Sequence, residues 1–405
     1  MALRYYDIII LFLSFIRLII IRVCKDILKF IAQLILYGGL FIMGNNLKIG
    51  VVGLRRGRSL LGDMLLMPEV TVSAICDKDE ERLKSCEDWL KQEQKRDGFV
   101  SLNNFEDLLN TDVDVVIIAT EVSAHVSMSI QALEAGKHVF SEVPAINSLD
   151  EARKLYQAVK KSGRKYMLGE NCCFWAFINT WKEIYESGRL GDVWYSEAEY
   201  LHNVIELMKD KNGNPTWRAT YDAIKYLTHD LGPLLYITDD GCVSVSGFAP
   251  EINPIPEYST GTPNEVAIFK TEKGALIKIF VSFGLQREPA RHNFCIYGSK
   301  GTLETVRSGE HSTIAYFKDI PHTTDLIKIP VGVSYPGAST KILGGHGGAD
   351  YYMMKSFVKS VIEDTKPPID VDLAIRISLP GIYAHMSTLQ GGVPIKIPNV
   401  RELCE

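Results

Sequence analysis

Between Leu47 and Gly169, short runs of β-branched residues alternate with helical stretches, and this alternation constrains the fold more than any other feature. It predicts strands at Leu47–Gly53, Val70–Cys76, Val113–Ala119, Lys137–Phe140 and Tyr166–Gly169. Helices are predicted between them at Ser59–Met67, Asp79–Lys95, Ala124–Ala135 and Asp150–Ser162. Strands and helices that alternate in this way build a doubly wound parallel sheet, which binds ligands at the carboxyl ends of its strands.

The pattern changes after Gly169, where extended segments are separated by Gly and Asn turns. The predicted strands are Val193–His202, Glu265–Thr271, Ala275–Phe283, Asn293–Gly298, Thr302–Arg307 and Thr313–Phe317. The predicted helices of this half are Asn179–Ser187, Ala349–Glu363 and Asp372–Thr388. We therefore expect the chain to be an α/β protein with a second, α+β domain built on a large, mainly antiparallel sheet.

Composition excludes several classes of protein. The 405 residues carry a net charge of −5, with no concentrated basic patch, so nucleic acid is not an expected partner. The eight cysteines are scattered and form no Cys-x-x-Cys pair, so neither a metal site nor a disulfide framework is expected. Unpaired cysteines are typical of a reducing compartment, and we predict a cytoplasmic location.

The first 43 residues are strongly apolar but are interrupted by charges, with Arg17 in the first apolar run and Arg22 to Lys29 after it. Neither run reaches the length of about 18–20 uncharged residues that a spanning helix needs. Three interpretations stay open: a membrane anchor, a helix that packs on a partner, or translation that begins at Met43. We favour the third and expect membrane contact only if residues 1–42 are genuine.

A glycine turn follows the first predicted strand. Gly53-Leu-Arg-Arg-Gly57 is a degraded dinucleotide fingerprint, because Arg55 replaces its middle glycine. The same turn also occurs in strand–helix units that bind no nucleotide. Asp77 ends the second strand, where a carboxylate can accept both ribose hydroxyls of NAD and repel the 2′-phosphate of NADP. Nearby cations weaken this preference, and Asp77 could instead cap the next helix.

The second half contains Tyr226-Leu-Thr-His229-Asp-Leu-Gly-Pro233. A histidine beside a phenol, a hydroxyl and a carboxylate can transfer protons near neutral pH, although a histidine in such a run is often structural. Arg218, which follows Trp217, can hold an oxyanion or a pair of hydroxyls with its planar fork, or form a stacked surface pair. His346 lies among four glycines and is either a turn residue or part of a mobile loop over a site.

Two segments carry a family resemblance. They are Ala119-Thr-Glu-Val-Ser-Ala-His125 and Ala135-Gly-Lys-His-Val-Phe-Ser-Glu-Val-Pro144. From about Lys48 onward the chain resembles the glucose-fructose oxidoreductase/inositol dehydrogenase/MocA (Gfo/Idh/MocA) family. The resemblance implies an NAD-binding Rossmann domain, with Glu142 near the nicotinamide ribose and His125 near the nicotinamide. Together with the glycine turn, it gives a predicted cofactor-binding set of Gly53, Gly57, Asp77, Thr120, His125, Glu142 and Pro144.

Val143 occupies a position where many dehydrogenases of this family have a lysine that helps to deprotonate or orient the reacting hydroxyl. Glu-Val-Pro-Ala, Glu170-Asn-Cys172 and Gly344-Gly-His346-Gly-Gly-Ala-Asp350 instead resemble the glycoside hydrolase family 109 branch. In that branch a transient sugar oxidation, with NAD regenerated in each cycle, leads to elimination of the glycosidic bond. The resemblance implies catalytic roles for Arg218, Tyr226 and His229, but Phe174 replaces a tyrosine of that site.

These observations predict an NAD-dependent oxidoreductase that acts on a sugar or sugar derivative. The alternatives are a redox-cycling glycosidase and a non-catalytic NAD-binding regulator. We expect a leader over residues 1–43, an NAD-binding domain over 44–169 and a substrate-binding and oligomerisation domain over 170–405. By family analogy, the enzyme is expected to be a homo-oligomer.

Overall fold

The computed structural model describes residues 46–307, 312–342 and 344–399. The apolar segment 1–43, with its three interpretations, lies outside the described residues. Within them, no helix has both the length and the apolar character needed to cross a membrane.

The first half forms the predicted parallel sheet, with strand order β3-β2-β1-β4-β5-β6. Its strands are β1 Leu47–Val52, β2 Val70–Cys76, β3 Val100–Leu102, β4 Val115–Ile118, β5 His138–Ser141 and β6 Tyr166–Leu168. The helices of this half are α1 Leu54–Met64, α2 Glu80–Asp88, α3 Phe105–Leu109, α4 His125–Glu134 and α5 Leu149–Ser162. The strand order reverses between β1 and β4, so a ligand-binding crevice is expected at their carboxyl ends.

The turn after β1 requires glycine at two positions. Gly53 has φ 87°, and a Cβ atom there would lie 2.5 Å from the Ala119 carbonyl oxygen. A Cβ atom at position 57 would lie 2.7 Å from Val51 Cγ1. Helix α1 therefore begins at Leu54, five residues before the predicted start, and packs closely on the sheet. Arg55 and Arg56 lie in its first turn rather than in a loop.

The second half forms a nine-stranded sheet in the order β14-β13-β12-β11-β7-β10-β9-β8-β15. Its strands are β7 Val193–Leu201, β8 Cys242–Phe248, β9 Asn264–Thr271, β10 Leu276–Ser282, β11 Arg291–Gly298, β12 Gly301–Thr305, β13 Thr313–Phe317, β14 Ile327–Ile329 and β15 Ile395–Lys396. The neighbours are antiparallel except for the parallel pair β7–β10. The predicted fold class is confirmed.

Arg218 and Tyr226 lie in short 3-10 helices at Trp217–Ala219 and Ala223–Tyr226. The α-helices of this half are α6 Ala176–Glu186, α7 Thr228–Thr238, α8 Ala349–Ile362 and α9 Val371–Leu389. His229 lies in the first turn of α7, a helix that the sequence analysis did not predict and that contains Pro233. Asp350 lies in the first turn of α8, which packs against α1 of the parallel-sheet half. The two halves are thus joined beside the glycine turn.

Candidate active site

Asp77 lies at the end of β2, as predicted, with 3 % of its side chain exposed. Its carboxylate accepts hydrogen bonds from the backbone N–H groups of Leu54 (2.8 Å) and Asp79 (2.9 Å). Arg82 Nη1 contacts both carboxylate oxygens at 3.2 Å. Helix α2 is capped by Asp79 instead. A ribose that used the Asp77 carboxylate would share it with the Arg82 guanidinium.

His125 joins the loops that follow β4 and β5. Its Nδ1 lies 3.0 Å from the Pro144 carbonyl oxygen, and its Nε2 lies 3.2 Å from the Thr120 carbonyl oxygen. The residue is 1 % exposed. Both ring nitrogens are therefore occupied by backbone, so His125 fixes the positions of two predicted cofactor-binding residues. Its direct contact with the nicotinamide stays a prediction.

Glu142 follows β5 and faces Arg56, one of the nearby cations expected to weaken the preference of Asp77 for NAD. Arg56 Nε donates to Glu142 Oε1 at 2.8 Å. The two terminal nitrogens of Arg56 bind the Asp350 carboxylate at 2.7 and 2.8 Å. Asp350 is fully buried, and contacts with His346 and Arg56 outweigh its burial and hold its pKa below the usual range. The guanidinium thus connects the two halves beside Glu142, the residue predicted to lie near the nicotinamide ribose.

His229 is held by a buried carboxylate. Its Nδ1 lies 2.7 Å from Glu170 Oε1, and the Glu170 side chain is fully buried while 14 % of His229 is exposed. Burial alone would raise the pKa of Glu170, but contact with His229 reverses the shift and lowers it. An ionised carboxylate only accepts hydrogen bonds, so Nδ1 of His229 donates. Its Nε2, which has no partner within the described ranges, remains available as a base.

Aromatic side chains surround the His229 imidazole. Tyr200 stacks on it with ring centroids 5.7 Å apart, and Tyr226 meets it edge-on at 5.0 Å. Burial raises the pKa of the Tyr226 hydroxyl, and the nearby Arg218 guanidinium partly offsets that rise. Arg218 itself lies over the Trp217 ring, 4.3 Å from its centroid. The structure therefore brings the three predicted catalytic residues, His229, Tyr226 and Arg218, into one cluster.

A second carboxylate–histidine pair adjoins this cluster. Asp230 is fully buried, and its Oδ1 lies 3.0 Å from His292 Nδ1. Burial raises the pKa of Asp230 well above its ordinary value. Burial and the charge of His229 lower the pKa of His292 to about 3. Both shifts favour an uncharged pair, which contrasts with the ionised Glu170 beside it.

Glu170, Cys172 and His229 place three possible metal-ligand atoms within 4.8 Å of one another. Glu170 Oε1 and His229 Nδ1 are already hydrogen-bonded to each other. Glu170 Oε1 also accepts a hydrogen bond from the Cys172 backbone N–H at 3.2 Å. Burial, with the negative charge of Glu170, raises the pKa of the Cys172 thiol well above its ordinary value, which disfavours the thiolate that a metal needs. The absence of a metal from the predicted site stays a prediction.

Val143 and Phe174, which replace a lysine and a tyrosine of the family pattern, both have apolar, buried side chains. Val143 is 5 % exposed and Phe174 is 6 % exposed. Phe174 stacks on Tyr236 with ring centroids 6.4 Å apart. Neither side chain can transfer a proton, so the acid–base chemistry of this cluster depends on its histidines, Tyr226 and carboxylates.

The predicted site residues did not include Glu170, Tyr200 or His292. A signal for Glu170 existed, because it lies two residues after β6, at the carboxyl end of a parallel strand. Tyr200 and His292 are register partners on β7 and β11. Their contact depends on a pairing between distant strands, which local sequence does not specify.

Three family models match the chain. "Oxidoreductase family, NAD-binding Rossmann fold" matches residues 47–170. "GFO/IDH/MocA C-terminal domain" matches residues 178–304, and "Glycosyl hydrolase 109, C-terminal domain" matches residues 265–402. The predicted cofactor, NAD, agrees with the first of these matches.

Relatives and solved structures are similar to this chain over most of its length. A glycosyl hydrolase family 109 protein from Solibacter usitatus is 27 % identical, with 89 % of each chain covered. One from Akkermansia muciniphila is also 27 % identical, over 87 % of this chain and 81 % of its own.

Among solved structures, levoglucosan dehydrogenase in complex with NADH superposes with a TM-score of 0.74 at 19 % identity, over 88 % of this chain and all of that one. The WlbA dehydrogenase of Bordetella pertussis, in complex with NADH and UDP-GlcNAcA, gives 0.67 at 17 % identity, over 87 % of this chain and 99 % of that one. Both likenesses concern the fold. With successive family models covering most of residues 47–402, the chain belongs to the Gfo/Idh/MocA family of NAD-binding oxidoreductases and has a C-terminal region of the glycosyl hydrolase 109 type.

Proposed function

We propose that this oxidoreductase removes a hydride from a secondary hydroxyl carbon of a sugar or sugar derivative, with His229 as the base. The observation that carries the proposal is the Glu170–His229 pair, in which a buried carboxylate orients Nδ1 and leaves Nε2 as the proton acceptor. NAD, when bound, supplies the hydride acceptor. An imidazole nitrogen with a free lone pair can take the hydroxyl proton as the carbon is oxidised.

Tyr226 and Arg218 act on the same substrate in this proposal. Arg218 holds an oxygen of the sugar with its planar donors, and its position over Trp217 restrains the side chain. Tyr226 donates its hydroxyl hydrogen to the substrate, since burial keeps the phenol protonated. Its edge-on contact with His229 places the phenol and the base side by side.

Gly53 permits the tight turn and Gly57 the close helix–strand packing that dinucleotide-binding folds use glycines for. The predicted cofactor-binding set is retained as part of the proposal: Gly53, Gly57, Asp77, Thr120, His125, Glu142 and Pro144. Fluorescence titration should show tighter binding of NADH than of NADPH, and Asp77→Ala should narrow the difference. Tighter NADPH binding by the unmodified enzyme would contradict the role of Asp77.

The direct test is a panel of free sugars, polyols and 4-nitrophenyl glycosides incubated with the enzyme and NAD. Absorbance of NADH reports net oxidation, and released 4-nitrophenol reports cleavage. Oxidation of a free sugar with NADH accumulation supports the proposal. If no member of the panel is oxidised or cleaved, the proposal fails.

Cleavage of a glycoside, with no net change in the cofactor, is the second candidate. It is favoured by the C-terminal match to glycosyl hydrolase 109 and by the family 109 relatives. Val143 adds support, because the lysine of many family dehydrogenases is missing from that position. In the panel this candidate predicts release of 4-nitrophenol without accumulation of NADH.

We also propose that two copies of the chain associate through the outer face of the nine-stranded sheet. On this face Ile268 and Leu276 are 47 % and 40 % exposed, while Phe269 and Ile277 beside them in sequence are buried. Exposed apolar side chains on a sheet face are often buried when two copies of a chain associate. Light scattering should give at least twice the 45.4 kDa chain mass. Ile268→Glu should lower that mass.

A cytoplasmic location completes the proposal. The cysteines within the described ranges are all free thiols, which favours a reducing compartment. Membrane association through residues 1–42 is retained as the alternative. Expression with and without those residues, followed by membrane fractionation, separates the two locations.

A further inference from the structure

His385 lies beside the short helix that carries Tyr226 and contacts two carboxylates. It belongs to α9 and is 8 % exposed. Its Nδ1 lies 2.9 Å from Glu265 Oε1, and its Nε2 lies 3.2 Å from Asp222 Oδ2. The Glu265 side chain is fully buried, and that of Asp222 is 17 % exposed. Both ring nitrogens therefore face carboxylate oxygens, and neither is open to a substrate.

The same two carboxylates hold the 3-10 helix Ala223–Tyr226. Asp222 directly precedes this helix, and its Oδ1 accepts a hydrogen bond from the Thr262 N–H at 3.1 Å. Glu265 Oε2 accepts a hydrogen bond from the Ile224 N–H, inside the helix, also at 3.1 Å. A buried network of hydrogen bonds restricts a segment to one geometry. The position of the helix, with Tyr226 as its last residue, therefore depends on the carboxylates that His385 joins.

One face of α9 makes these contacts. His385, Gly381 and Ser378 are spaced by four and three residues, so they share a face of the helix. A Cβ atom at position 381 would lie 2.6 Å from the Ile224 carbonyl oxygen, so α9 lies directly against the short helix. Ser378 Oγ accepts a hydrogen bond at 3.2 Å from the N–H of Ala145, in the loop of predicted cofactor residues after β5. This face of α9 thus supports both that loop and the short helix.

The contacts of the Tyr226 ring do not fix its position in the same way. The ring meets Trp217 and Phe283 with centroids 5.9 Å apart, and Tyr200 at 6.0 Å. Burial of apolar surface between rings is largely non-directional. The direction of the phenol hydroxyl therefore depends on the backbone of the short helix, which the carboxylates hold.

The two carboxylates depend on His385 to different degrees. Burial alone would raise the pKa of the Asp222 carboxyl, but its contacts with Lys225 and His385 reverse the shift and lower the pKa. Lys225 Nζ lies 2.9 Å from Asp222 Oδ2 and stays in place if the imidazole is lost. Glu265 has His385 as its single basic contact among the residues that the structure describes. The Glu265 side of the clamp is therefore the one that needs the histidine.

We propose that His385 is a positioning residue for Tyr226, which holds the phenol beside His229 by joining Asp222 and Glu265 under the short helix. The inference rests on the proposed function and deepens it, because it names the group that keeps the proton donor aligned with the base. His385 takes no part in the chemistry itself, since both of its nitrogens are occupied. Its effect on turnover passes through the Tyr226 hydroxyl.

The test uses the full chain with NAD and the panel compound that the unmodified enzyme turns over fastest. His385→Gln is made in the unmodified chain and again in the Tyr226→Phe variant, which already lacks the hydroxyl. The matched control is His138→Gln, since His138 is partly buried at the start of β5, the end of the strand away from the site, and accepts a hydrogen bond from the Lys165 N–H at 3.0 Å. The readouts are kcat, KM, NADH affinity and the unfolding temperature. High enzyme concentration keeps slow variants measurable.

We expect His385→Gln to lower kcat roughly 10- to 100-fold in the unmodified chain, the usual range for partners that orient a functional group. KM and NADH affinity should change little. In the Tyr226→Phe variant the same substitution should change kcat by less than about twofold, because the group that His385 positions is already missing.

Equal fold losses of kcat in the two backgrounds would overturn the inference, as would a loss no larger than that of His138→Gln. If His385→Gln does not fold, Glu265→Gln takes its place in the same comparison, since the amide keeps an acceptor for the Ile224 N–H and loses the charge that faces His385. Full kcat of Glu265→Gln would then overturn the inference. These outcomes leave the proposed function standing, whereas failure of every panel member with the unmodified enzyme removes both proposals.

Discussion

Consecutive residues at the start of α7 belong to two carboxylate–histidine pairs that differ in charge. His229 faces Glu170, whose pKa is lowered, while Asp230 faces His292, and there both pKa shifts favour the neutral forms. The carboxylates of both pairs are fully buried, so burial alone does not explain the difference. Glu170 Oε1 accepts a second hydrogen bond, from the Cys172 N–H, whereas Asp230 Oδ1 meets only His292 among the described residues. The other oxygen of each carboxylate, Glu170 Oε2 and Asp230 Oδ2, has no partner among the described atoms. The same two residue types therefore give a proton-transfer pair on one side of the helix and a neutral structural pair on the other.

Removal of the imidazole from the first pair should have the largest effect. Loss of a positioned base typically lowers turnover by about 10²- to 10⁴-fold. His229→Ala should show such a loss of kcat on the panel substrate, while NADH affinity changes little because the glycine turn lies in the other half. Full retention of turnover would make His229 structural.

Glu170→Gln should have the next largest effect. The amide keeps the shape of the side chain but no longer requires Nδ1 to donate, so the imidazole loses its preferred tautomer. We expect a roughly tenfold to hundredfold fall in kcat, typical for partners that orient a functional histidine. An altered pH profile of kcat should accompany it, whereas an unchanged kcat and profile would remove the distinction between the two pairs.

The pH dependence of stability tests the second pair. His292 has a pKa of about 3 in the folded chain, against 6.5 unfolded, so the unfolded chain binds the extra proton between these values. The free energy of unfolding therefore falls as pH drops through this window, by up to about 1.4 kcal/mol per pH unit. The raised pKa of Asp230 has the opposite effect above pH 3.8, where it makes the free energy of unfolding rise as the pH falls.

Urea unfolding at pH 7 and pH 5 measures this effect. Between pH 7 and pH 5, the free energy of unfolding of the unmodified enzyme should fall by about 2 kcal/mol more than that of His292→Gln. His322→Gln, in an exposed position, serves as the control and should behave like the unmodified chain. Equal losses in all three proteins would mean that His292 titrates normally in the folded state.

Asp230→Asn should produce the smallest effect. Because the folded chain favours the protonated carboxyl, an amide of nearly the same shape replaces one neutral group by another. We expect kcat within about threefold and unfolding free energy within about 1 kcal/mol of the unmodified enzyme. A fall in kcat as large as that of Glu170→Gln would show that Asp230 is ionised and that the two carboxylate–histidine pairs have the same charge.

Local sequence predicted five strands of the parallel sheet but missed the short strand β3 and helix α3 after it. It predicted His229, Tyr226 and Arg218, and the structure brings them together, although their catalytic roles stay a prediction, as does the domain boundary at residue 169. It did not predict α7, since Pro233 and Gly232 are both unfavourable in a helix interior and only tertiary packing stabilises them there. The carboxylates that hold the histidines lie 59 and 62 residues away from their partners, beyond any local pattern.

Arg56 has a practical consequence for chimeric enzymes that combine the second half of this chain with the first half of a relative that lacks this arginine. Its partners lie 86 and 294 residues away, at Glu142 and Asp350. A transplanted second half would bring a fully buried carboxylate to a junction that no longer supplies the guanidinium. An unpaired buried charge typically costs about 3–5 kcal/mol, enough to unfold a marginally stable chimera. Residues 56, 142 and 350 must therefore be exchanged as a single unit, whatever substrate the grafted half is meant to recognise.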